Sequence, residues 1–150
     1  MPKLRFMYEG NDYDLSREQI ITKIVESVSL QITLPNDLVI HIADLGDAVY
    51  GNTSLDYRFK NRITINKNLQ ESGIMEVLVH ELIHVNQVYT GQLSVTRTGS
   101  YVWRGRSYKV QNYETSDHRQ YSQLPWEKDV AKKQQFILTE TIKYLAEKSE

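Results

Sequence analysis

A chain of 150 residues with a formal net charge of −1 and no cysteine is long enough for one domain built on a single hydrophobic core. That charge excludes a global field that would draw in nucleic acid or an anionic membrane. The lack of thiols excludes disulfides and thiolate metal sites, leaving His, Asp and Glu as the strong ligands on offer. No apolar run approaches the ~18–20 residues that span a bilayer, and Met1 to Glu9 carries no apolar signal region, so a cytoplasmic setting is the expectation.

In chain order, Leu4 to Tyr8 reads as a short strand, followed by a turn at Gly10-Asn11-Asp12. Ser16, with Gln19 three residues on, matches a capping box. It opens a helix whose apolar stripe is Ile20, Ile21, Ile24, Val25 and Val28. Pro35-Asn36-Asp37 ends that element before a strand over Leu38 to Ala43. His41, inside the strand, reads as a hydrogen-bonded structural residue. Asp44 to Lys60 is polar and turn-rich, and Arg62 to Asn66 then alternates like a half-buried strand. Lying just before the next helix, that strand is either structural or an edge that holds an extended substrate by backbone pairing.

The next helix is expected from about Leu69 to Tyr89, with Asn68 to Glu71 as its cap and Gly91 as its stop. It carries His80-Glu81-Leu82-Ile83-His84, the HExxH pattern of zinc hydrolases. Residues four apart share a helix face, so His80 and His84 can hold one metal between them. Glu81, one residue round, can take a proton from water without being a ligand. Ile74, Met75, Val77, Leu78, Val79, Leu82, Ile83, Val85 and Val88 surround the motif on almost every side, so the helix is expected to be buried. Ionisable groups on a buried helix are costly unless they are paired or bind a metal.

Tyr101, Val102, Trp103 and then Tyr108, Val110 flank Arg104-Gly105-Arg106 as in a hairpin. Arg97, Arg104, Arg106 and Lys109 make this the one basic patch. A charge-protected sheet edge explains it better than a nucleic-acid partner. Asn112 to Leu124 is polar, and Leu124-Pro125-Trp126-Glu127 opens the last helix with proline in its first turn. Val130, Ala131, Ile137, Leu138, Thr141, Ile142 and Leu145 are its expected buried stripe.

A catalytic zinc takes three protein ligands and one open position. The metzincin continuation needs a glycine and a third histidine where this chain has Gln87 and Thr90. The gluzincin arrangement asks for a Glu on a later helix, and Glu127 fits; His118, then Glu114 and Asp117, are the alternatives, and complementing the helix dipole is the structural role open to Glu127. The HExxH helix, Gly91-Gln92-Leu93, Trp103-Arg104-Gly105, Tyr108 and Leu124-Pro125-Trp126-Glu127-Lys128-Asp129 together resemble small phage-encoded, gluzincin-like metallopeptidases, over about Ile63 to Lys133. The resemblance implies a minimal zincin fold with Glu127 as third ligand. Larger gluzincins often carry an Asp four residues after that Glu, bonded to a ligating His. Here that position is Ala131, and Asp129, two residues away from it, is expected on a different face, which leaves the residues that orient the histidines unassigned.

The expectation is therefore an α+β, minimal zincin-like domain. A small, mostly antiparallel sheet would pack on the buried HExxH helix and a long C-terminal helix. Zn²⁺ would be held by His80, His84 and Glu127, with Glu81 as general base and Tyr113, His118 or Tyr121 steadying the transition state. The substrate would be a peptide or protein, in the host cytoplasm or a virion if the chain is phage-encoded, with no membrane partner. The competing expectation is a structural or virion-associated protein in which zinc only staples the fold.

Overall fold

Apolar residues at alternate positions of Leu38–Ala43 and Arg62–Asn66 share one face only if both segments are extended, and they lie side by side. A computed structural model describes residues 1–10, 13–46, 50–53, 61–108 and 122–149. In it β1 (Lys3–Tyr8), β2 (Asp37–Ala43), β3 (Gly51–Thr53) and β4 (Arg62–Asn66) form a four-stranded sheet in the order β1-β2-β4-β3. The register aligns Phe6, Ile40 and Ile63 in one row and Tyr8, Ile42 and Ile65 in the next. β3 extends these rows, Thr53 opposite Ile63 and Gly51 opposite Ile65.

Three helices among the described residues cover that face: α1 (Leu15–Ser29), α2 (Glu71–Tyr89) and α3 (Pro125–Lys148). Ile21, Ile24, Val25 and Val28 of α1, Leu78, Leu82 and Ile83 of α2, and Val130 and Ile137 of α3 join the sheet rows in the main core. A second, three-stranded antiparallel sheet follows α2, from β5 (Leu93–Val95), β6 (Tyr101–Trp103) and β7 (Arg106–Tyr108). Its residues Leu93 and Trp103 close over Trp126 of α3 in a smaller cluster of their own. The β6–β7 turn places Arg104 (φ 48°) and Gly105 (φ 84°) in the left-handed region, as a two-residue type I′ hairpin requires.

Mixed α and β content is as expected, but the single, mostly antiparallel sheet is not. Among the described residues there are two sheets, and in the larger one β1–β2 and β2–β4 are parallel and β3 is antiparallel to β4. The reason lies in the connection: α1 carries the chain back to the starting end before β2, which makes the pair parallel. Arg62–Asn66 is an interior strand, and among the described residues the sheet edge beside α2 is β3.

The cap of α1 also moves. Asp14, not Ser16, is the N-cap, its Oδ1 accepting from the Arg17 N–H at 3.2 Å. The N-cap position of α2, Gln70, makes no side-chain cap bond; Asn68 is held by Asn66 instead. On α3, Ala131 and Ile142 face outward, while Thr141 is buried and its Oγ1 accepts from the Ser27 hydroxyl of α1 at 3.2 Å. Among the described residues no helix is long and apolar enough to cross a membrane.

Candidate metal centre

The HExxH segment lies in mid-helix, and every residue from Glu81 to Gln87 is buried, so the helix is enclosed all round here as its composition implies. The four-residue spacing brings the two imidazoles edge to face, ring centres 5.0 Å apart and planes at 70°. Glu127, buried in the first turn of α3, reaches both: its Oε2 is 3.4 Å from His80 Nε2 and its Oε1 2.9 Å from His84 Nε2. One ligand atom from each of the three lies within 4.8 Å of the others. Donors at ~2.0–2.2 Å in a tetrahedral zinc shell stand about 3.4 Å apart, so both the donor set and its scale fit such an ion. Burial opposes a charge on His84, but the hydrogen bond and charge of Glu127, together with the charge of Glu81, override it and raise its pKa above 6.5.

Two devices place Glu127. α3 starts at Pro125, whose fixed φ suits a helix start, and the next residue, Trp126, is fully buried. Trp126 stacks on Tyr101 with ring centres 5.3 Å apart and meets Tyr108 edge-on at 5.7 Å. The hairpin sheet thus clamps the residue beside the carboxylate. The helix-dipole role and the ion-pairing role of Glu127 coincide, since its side chain turns onto the histidines from the positive end of α3.

Glu81 is buried, and its carboxylate accepts from the hydroxyl of Thr53, which also lies 3.2 Å from the Glu81 carbonyl. The contact follows from register: Thr53 ends an inward-facing row of the sheet, on the strand nearest α2. Close approach there depends on Gly51, where a Cβ would sit 2.5 Å from Val77 Cγ1.

The residues that orient the histidines escaped sequence reasoning. Gln87 accepts from His84 Nδ1 at 2.8 Å and donates to the Trp126 carbonyl and to Asp129 Oδ2, both at 2.9 Å. Gln134 Oε1 lies 3.4 Å from His80 Nδ1. The one available signal was spacing, since Gln87 sits a single turn beyond His84.

His41 stays apart from this cluster. Arg62 donates to its Nδ1 at 2.9 Å, and burial, then the Arg62 charge, lowers its pKa. It is the hydrogen-bonded strand histidine expected. In the basic hairpin, Arg104 lies over Trp103 and donates to Gln92, and Arg106 lies over Tyr108. Lys109 and Val110, together with Tyr113, Glu114, Asp117, His118 and Tyr121, lie outside the described residues. Comparison of the chain with protein-family models, characterised proteins and solved structures finds no match.

Proposed function

We propose that this chain is a zinc-dependent hydrolase of peptide bonds, with a zincin-like site. The observation that carries the reading is the meeting of His80, His84 and Glu127 beside a buried Glu81 that is not one of them. A two-histidine, one-carboxylate set with no thiolate suits zinc. When bound, the metal would acidify a water and polarise the scissile carbonyl. The protein's own part is to place a proton acceptor. Thr53 holds Oε2 of Glu81 and leaves Oε1 to take a proton from water and return it to the leaving amine. Among the described residues β3 pairs with β4 alone, so its outer edge can receive an extended peptide by backbone pairing.

One observation favours a second reading, in which zinc is a staple without hydrolysis: Glu81 already has a structural partner in Thr53. Glu81→Gln separates the two. As a general base it should retain zinc, measured by elemental analysis, and lose roughly 10²–10⁴-fold in hydrolysis of a peptide library. His84→Ala and Glu127→Ala should lose the metal, while His118→Ala should keep it. A wild-type protein that binds no zinc ends the proposal. A zinc-loaded wild type that cleaves nothing across the library favours the staple.

A further inference from the structure

Gln87 is completely buried, and all the polar capacity it shows is spent on three groups. Its Nε2 faces two acceptors, the carbonyl of Trp126 and the carboxylate of Asp129. Neither can donate: a backbone carbonyl only accepts, and so does an ionised carboxylate. Lys133 Nζ also donates to the same Asp129 oxygen at 2.9 Å, so the carboxylate accepts from both sides. The amide therefore has one orientation, its NH₂ toward this pair and its oxygen toward His84. An amide oxygen cannot donate, so His84 Nδ1 carries the hydrogen. That leaves Nε2, 2.9 Å from Glu127 Oε1, as the ring atom that has a lone pair to give when the imidazole is neutral.

We infer that Gln87, oriented by Asp129 and the Trp126 carbonyl, is a positioning residue for the metal centre: it locks His84 in the tautomer and ring orientation that presents Nε2 to a divalent cation. The inference rests on the zinc reading and deepens it. Partners of this kind behind ligating histidines generally fix the tautomer. Here the contact is a neutral amide drawn from the motif's own helix, with the carboxylate one step further back on α3. The arrangement also explains why an amide stands at 87. A carboxylate there would point at Asp129 and a carbonyl, acceptors only, with no proton to share.

That point makes the test asymmetric. Zinc affinity of the full chain is measured by competition with a chromophoric chelator, with melting of each chelated protein as the control for folding. Gln87→Met should bind zinc about 10–100-fold more weakly. Gln87→Glu should be at least as weak, although a carboxylate against a ligating histidine ordinarily strengthens a site. Asp129→Leu should weaken zinc in the same direction, and adding it to Gln87→Met should cost little more, because the two act in one line. Wild-type affinity in Gln87→Met, or tighter binding in Gln87→Glu, refutes the inference while leaving the zinc site standing. A wild type without zinc removes both. Should the variants fail to fold, long-range ¹H–¹⁵N correlation of zinc-loaded wild type decides: Nδ1–H with a metal-bound Nε2 is expected, and metal on Nδ1 contradicts it.

Discussion

The two halves of the candidate site come from differently built regions. His80 and His84 stand on α2, whose flanks Leu78, Leu82 and Ile83 lie in the main core with the sheet rows. Glu127 hangs on the smaller cluster of Leu93, Trp103 and Trp126, backed by Tyr101 and Tyr108. In the first region one helix sets the geometry, and the core only has to keep that helix in place. In the second, three short strands must close over one indole before the carboxylate faces anything. The histidine pair is a local product and the third donor a tertiary one. Loss of packing should therefore reach the metal by way of Glu127 first.

Paired truncations give the sharpest trial of that difference. Trp126→Ala and Ile42→Ala each remove a fully buried apolar side chain, and each should cost about 2–5 kcal/mol in denaturant unfolding. Zinc affinity should separate them, falling at least about tenfold further in Trp126→Ala, because the indole sits beside Glu127. Equal losses would mean that the small cluster has no special hold on the site.

Protonation offers a second contrast, since two histidines are shifted in opposite directions. His84 in chelated protein has a raised pKa. Its contribution to stability is complete below the unfolded value near 6.5 and fades as pH rises through the folded value above it. His41 has a lowered pKa, so its contribution is present above 6.5 and fades as pH falls through the folded value below. Each group changes the slope by at most about 1.4 kcal/mol per pH unit. NMR titration of chelated protein should show His84 still charged at a pH where His41 is neutral, and zinc should abolish the His84 titration while leaving that of His41. A His84 that titrates below His41 would contradict the electrostatics drawn here.

The smallest effect belongs to Arg104. Its side chain is 61% exposed and 4.0 Å from Asp129, a geometry worth within about 0.5 kcal/mol in water. Arg104→Ala should leave both melting and zinc affinity almost unchanged. A loss approaching that of Trp126→Ala would show that charge, not ring packing, holds the start of α3.

Sequence by itself determined what depends on neighbours along the chain. It set the shared face of His80 and His84, the burial of their helix, the bounds of β4, a hairpin turn over Arg104-Gly105-Arg106 (one residue longer than the turn formed, since Arg106 pairs in β7) and the proline start of α3, because periodicity and turn chemistry act over a few residues. It also carried an unread sign of the parallel pair in the order strand, helix, strand. Tertiary structure decided the rest. It brought Glu127 onto both imidazoles across 43 residues of chain, made β3 rather than β4 the edge, and set Thr53 against Glu81. It also turned Gln87 from a residue that merely breaks the metzincin pattern into the partner of His84. Those contacts depend on strand register and on the closing of the hairpin sheet over Trp126, and neither leaves a periodic mark in the order of residues.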